Sequence, residues 1–168
     1  MIQINVGDHA GSEFGNNFTP IPAGGYRDQC RWARRKAIWI AQNMPRADRY
    51  YSGLGAGVNL STMLANNSIW INYDGSIDFY GYTWSNNDIW IGPKPFRIGR
   101  WAVLATILHE LAHVAGAPGA PPGGGVCAVG GLCHAAERAV YECGLGNRNE
   151  LATGVDDPST PYDPTIVG

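Results

Sequence analysis

The stretch that decides the fold reads Gly99-Arg100-Trp101-Ala102-Val103-Leu104-Ala105-Thr106-Ile107-Leu108-His109-Glu110-Leu111-Ala112-His113-Val114-Ala115-Gly116. Trp101, Leu104, Ala105, Leu108, Leu111, Ala112 and Ala115 recur at three- and four-residue spacing, which predicts a helix over 99–116 ended by Gly116. Inside it, His109-Glu110-Leu111-Ala112-His113 spells HExxH. Side chains four apart lie one turn above the other, so both imidazoles reach a single metal ion. Glu110, one residue on from His109, falls beside such an ion, where its carboxylate can take a proton from metal-activated water. The other faces of this helix are apolar. Two histidines and a glutamate there are costly to bury without a partner, and a metal supplies one.

Upstream, a helix is expected over 26–44, where Cys30, Ala33, Ala37, Ile40, Ala41 and Met44 make one apolar stripe that Pro45 ends. Arg27, Arg31, Arg34, Arg35 and Lys36 cluster on it, as a solvated face or as a docking surface for an acidic partner. A short strand is expected at 2–6 and a turn of helix near Leu60–Ala65. Runs 68–73 and 76–80 flank Asp74-Gly75, a hairpin signal. A further strand, Asp88–Ile91, is stopped by Gly92-Pro93. Downstream, a Pro/Gly loop over 116–131 leads to a short helix at 134–143, and 144–168 reads as an irregular tail. The expectation is one α+β domain over 1–168, with a small antiparallel sheet against the HExxH helix.

The chain has 168 residues and a mass of 18.1 kDa, enough for one domain with a real core. Apolar residues are 45% of it, which excludes the composition of a disordered chain. Gly 23 and Pro 11 make about a fifth of the chain, so loops are many. A formal net charge of −2 gives no general reason to expect nucleic acid as a partner. No apolar run approaches the roughly 20 residues of a membrane span. Residues 1–10 lack the apolar core of a secretory signal. The chain is therefore expected to be cytoplasmic if free-standing, or delivered as part of a larger protein. Cys127 and Cys133 bracket a Gly-rich segment and could close a small disulfide loop. Cys30 and Cys143 fall in helical patterns, as a pair or as buried thiols.

With its HELAH helix the chain resembles the zincin metallopeptidases, whose catalytic zinc needs a third protein ligand and an open position. The metzincin pattern would put a histidine at Gly119, and the aspzincin pattern a carboxylate within 116–125, which has none. The gluzincin pattern places a glutamate on a later helix, and Glu137 lies 24 residues after His113 in His134-Ala135-Ala136-Glu137. The resemblance thus implies zinc held by His109, His113 and Glu137, with His134, one turn earlier on the same face, as the alternative third ligand. His134 and Tyr141 are candidate stabilisers of the transition-state oxyanion. Zincins also line the cleft with an edge strand that pairs with an extended peptide, and Asp88–Ile91 is the candidate.

Residues 88–168 as a whole, from DIWIGP through HELAHVAGAPG and HAAE to Cys143-Gly144 and YDPTIVG, resemble the metallopeptidase toxin domains of bacterial polymorphic toxins, including Rhs-repeat proteins. That likeness implies secretion or delivery by a larger carrier, a protein or peptide substrate and a cognate immunity protein. Two other readings remain open: a zinc amidase acting on a cell-wall peptide, and a binding module with a structural metal that docks its partner on the basic helix 26–44.

Overall fold

A computed structural model describes residues 1–13, 15–84, 87–119 and 134–145. Among the described residues, six helices and six short strands follow in the order β1 (Gln3–Ile4), β2 (Ser12–Glu13), β3 (Asn16–Asn17), α1 (Gly25–Asn43), α2 (Pro45–Ser52), α3 (Leu60–Ala65), β4 (Trp70–Tyr73), β5 (Gly81–Trp84), β6 (Asp88–Ile91), α4 (Pro93–Ile98), α5 (Arg100–Val114) and α6 (Ala135–Glu142). The class is α+β. The main sheet runs β1-β4-β6-β5, and β2 and β3 form a separate two-stranded ribbon.

The sheet is mixed. β1 pairs parallel to β4, and β4 parallel to β6, whereas β5 is antiparallel to β6. The expected hairpin around Asp74-Gly75 does not form, and 76–80 is not a strand. Asp74 does make the turn. Its Oδ1 accepts from the Ser76 amide at 2.9 Å and the Ser76 hydroxyl at 2.6 Å, and its Oδ2 accepts from Tyr82 at 3.0 Å. The returning chain then becomes β5, which pairs with β6 rather than with β4. β6 consequently lies between β4 and β5, with all four residues buried. The likeness to zincins implied an edge strand here, and β6 is not one. β5 is.

Two prolines that read as stops do end α1 and β6, and they are starts as well. Pro45 opens α2 and Pro93 opens α4, each in the first turn, where the missing N–H costs nothing. α5 is the central element and packs against α1, α4, α6, β5 and β6. Every residue from Ala102 to Ala112 is buried. One core joins Ile71, Ile89 and Ile91 of the sheet with Ala37 and Ile40 of α1, Leu104, Ile107, Leu108 and Leu111 of α5, and Ala139 and Val140 of α6. Beneath α5, Tyr51 donates to the Leu108 carbonyl at 2.9 Å.

The basic cluster of α1 is partly internal wiring. Arg34 donates to the Ile2 carbonyl at 3.0 Å, Arg27 to Ile21 at 2.8 Å and to Val6 at 3.2 Å, and Arg31 pairs with Asp28. Cys30 and Cys143 are buried free thiols, both pushed up to about 12 by burial. Cys127, Cys133, most of the Pro/Gly loop and residues 146–168 of the expected tail lie outside the described residues. No helix among the described residues is long and apolar enough to cross a membrane.

Candidate metal centre

The last turn of α5 and its exit position the histidines. Gly116 adopts φ +97°, and a Cβ there would sit 2.7 Å from the Leu54 carbonyl and 2.9 Å from the Ala56 amide. Only glycine fits, because both the backbone conformation and the space exclude a side chain. The turn it makes sends the Ala117 amide back to the Ala112 carbonyl at 2.8 Å and lets the Ala117 carbonyl take a hydrogen bond from His113 Nδ1 at 3.0 Å. A carbonyl only accepts, so His113 carries its proton on Nδ1.

His109 is fixed in the same sense by another element. Its Nδ1 lies 2.8 Å from Glu137 Oε2 on α6, with both side chains almost wholly buried. A carboxylate accepts, so this ring too carries a proton on Nδ1. In its neutral form each imidazole presents a bare lone pair on Nε2, and the two Nε2 atoms face each other across 3.2 Å. Two acceptors at that separation have nothing to share unless a cation or an extra proton lies between them. Zn–N bonds of about 2.0–2.1 Å in a tetrahedral shell set nitrogens roughly 3.3 Å apart, so the pair fits a zinc ion.

The titration behaviour follows the same contacts. Burial, with the His109 charge, lowers the His113 pKa to about 4, so that ring is neutral at physiological pH. Burial also pulls His109 down, but the Glu137 hydrogen bond and the charges of Glu110 and Glu137 outweigh it and raise His109 above its ordinary value.

Glu110 is held from the sheet side. Thr83 on β5 donates to Glu110 Oε2 at 2.8 Å, and its hydroxyl also lies 3.1 Å from the Glu110 carbonyl. Gly81, two residues earlier on the same strand, allows this approach. A Cβ there would come within 2.6 Å of the Trp90 carbonyl, 2.9 Å of Thr106 Cγ2 and 3.5 Å of Glu110 Oε1. Burial raises the Glu110 carboxyl above the usual range, against the lowering pull of His109 and the Thr83 hydroxyl. That direction suits a base working near neutral pH.

The structure thus brings His109, His113, Glu110 and Glu137 together around the end of α5. It does not add a third ligand on the Nε2 side: among the described residues, no group of three His, Cys, Asp or Glu side chains is arranged to hold a metal. His134 is half-buried at the cap position that precedes α6. Tyr141 lines a surface cavity with Met44, Arg46, Glu142 and Gly144. The site roles of Thr83, Gly81, Gly116 and the Ala117 carbonyl went unnoticed in the sequence. Of these only Gly116 carries a signal there, as a helix stop, and its second duty to His113 is invisible without the fold.

A second polar cluster gathers around Asp88 at the start of β6. His9 stacks between Phe18 and Trp70 at ring separations of 4.1 and 4.2 Å, and its Nε2 meets Asp88 Oδ1 at 2.9 Å. Asn72 donates to the same oxygen at 2.8 Å, and Asn5 to Asn72 at 2.9 Å. This network ties the start of the chain to β4 and β6.

Compared with known proteins, no family model matches the chain, and no curated protein or solved structure is significantly similar to it.

Proposed function

We propose that the protein is a zinc-dependent hydrolase of amide bonds, with peptide bonds in proteins as its substrate class. The observation that carries this reading is the pair of Nε2 atoms held 3.2 Å apart beside a buried carboxylate. His109 and His113 would hold the ion; Glu137, the third ligand expected from the sequence, sits at the back of His109 instead, which leaves the alternative, His134, as the sequence's candidate. When bound, zinc supplies Lewis acidity that acidifies water and polarises the scissile carbonyl. The rest is done by the chain. Glu110 takes the proton of the attacking water on its carboxylate and returns it to the leaving amine. Thr83 holds Oε2 so that the carboxylate keeps one orientation, and Gly81 leaves room beside Oε1. The Nδ1 acceptors, Glu137 and the Ala117 carbonyl, keep both rings in the tautomer that binds metal.

The likeness of 88–168 to polymorphic-toxin peptidases extends the proposal to a delivered bacterial effector with an immunity protein. The test has two arms. Zinc per chain is measured on wild type and His113→Ala, and hydrolysis of a denatured protein and of peptidoglycan fragments is measured on wild type and Glu110→Gln. One zinc in wild type, none in His113→Ala, and cleavage of protein abolished in Glu110→Gln support the reading. Cleavage of the cell-wall fragments alone assigns the amidase instead. Absence of zinc from wild type supplied with it overturns the proposal, and so does an unchanged rate in Glu110→Gln.

A further inference from the structure

The two histidines obtain their Nδ1 acceptors in different ways, and the reason is their position. His113 is near the end of α5, so the chain leaving the helix can fold a backbone carbonyl onto it, and Ala117 does so at 3.0 Å. His109 is one turn earlier, where neighbouring carbonyls are engaged in the helix ladder. Its acceptor must come from a side chain on another element. Glu137 meets that need at 2.8 Å, with its side chain 5% exposed and packed between α5 and α6.

From this geometry we infer that Glu137 is not a metal ligand but the positioning carboxylate of His109, an inference that rests on the zinc reading above. The two nitrogens of an imidazole lie on different edges of the ring. An oxygen hydrogen-bonded to Nδ1 is therefore on the far side from whatever Nε2 binds, several ångström beyond the roughly 2.0–2.2 Å of a zinc–carboxylate bond. Moving Glu137 onto the ion would break the 2.8 Å bond, leave a buried Nδ1–H without its acceptor and release the ring that the bond orients. Keeping it in place gives His109 a fixed tautomer and a more basic Nε2, which is what a carboxylate behind a ligating histidine does. The chain thereby supplies each ligand ring with its own support, one from backbone and one from a side chain. The third ligand is a residue other than Glu137.

The experiment uses the full chain. Zinc stoichiometry at saturation and zinc affinity by chelator competition are measured on wild type, His113→Ala, Glu137→Gln and Glu137→Ala, with the cobalt(II) visible spectrum of each metal-binding form and a thermal melt as folding control. Wild type should bind one zinc and His113→Ala none, which secures the reading beneath the inference. Glu137→Ala should still bind one zinc at saturation, about 10–100-fold more weakly. Glu137→Gln, whose amide oxygen can accept the same hydrogen bond, should recover part of that loss and keep the wild-type cobalt spectrum. If Glu137→Ala folds but takes up no zinc at saturation, Glu137 is a ligand and the inference falls alone. If its affinity is unchanged, Glu137 does not support His109 and the inference also falls. Should Glu137→Ala fail to fold, Glu137→Gln decides: one zinc with an unchanged cobalt spectrum supports the inference, and an altered spectrum or lost zinc overturns it. If wild type itself binds no zinc, the zinc reading fails, and the inference with it.

Discussion

The two flanks of α5 serve the site differently. Toward the sheet, β5 approaches closely enough for a hydroxyl to hold Glu110, and the approach depends on a missing side chain at Gly81. Toward the other helices, α6 and the turn at Gly116 hold the backs of His109 and His113. Glu110 and the two histidine rings thus hang from one helix but are steadied by unrelated parts of the molecule. Damage to one flank should leave the other's chemistry standing.

The largest separation of the two is expected from Glu110→Gln. Turnover should fall by about 10²–10⁴-fold while zinc content and affinity stay at wild-type values; equal losses of metal and activity would mean the flanks are not independent. Gly116→Ala strikes the other side. A Cβ 2.7 Å from a backbone oxygen at φ +97° should cost about 1–3 kcal/mol in unfolding free energy, and the displaced Ala117 carbonyl should weaken zinc binding. Chemical denaturation and chelator competition measure the two effects. Thr83→Val, nearly isosteric, removes only the hydroxyl on Glu110. About 1–3 kcal/mol of support for a buried carboxylate is at stake, so kcat should drop roughly tenfold or more with zinc affinity unmoved. The smallest effect on the site belongs to His9→Ala. It empties the slot between Phe18 and Trp70 and lowers stability, yet zinc uptake should be unchanged. A loss of zinc there would tie the His9–Asp88 cluster to the metal centre and break the division of labour.

The central helix was legible because its signals agree. Period, stop residue and HExxH spacing all fall on one 18-residue run, and burial of Ala102–Ala112 follows from it. α1 and α6 were legible for the same reason, within a residue or two of their observed ends. The sheet was not. Asp74-Gly75 announces a turn, and a turn is there, but strand pairing is settled by what fills the gap afterwards. β6 fits between β4 and β5 because Ile89, Trp90 and Ile91 can be buried on both faces. No local pattern distinguishes that from an edge. Pro45 and Pro93 show the same limit, since a proline that cannot continue one element is well suited to begin a helix. At the site, residues brought together by helical spacing were readable, whereas Thr83 and Glu137 reach α5 from 27 and 28 residues away in the chain, and only the packing of β5 and α6 sets their roles.

The two buried thiols carry a consequence for watching this molecule move. Cys30 lies in α1 and Cys143 at the end of α6, 0% and 3% exposed. With pKa values near 12 they are scarcely thiolate at neutral pH and are shielded from alkylating reagents. Each can react only when its own helix lifts away, so the rate of labelling at each position counts how often that part of the fold opens. Read peptide by peptide, the pair makes a native two-channel clock: one hand records the breathing of α1 over the core, the other that of the helix that carries Glu137.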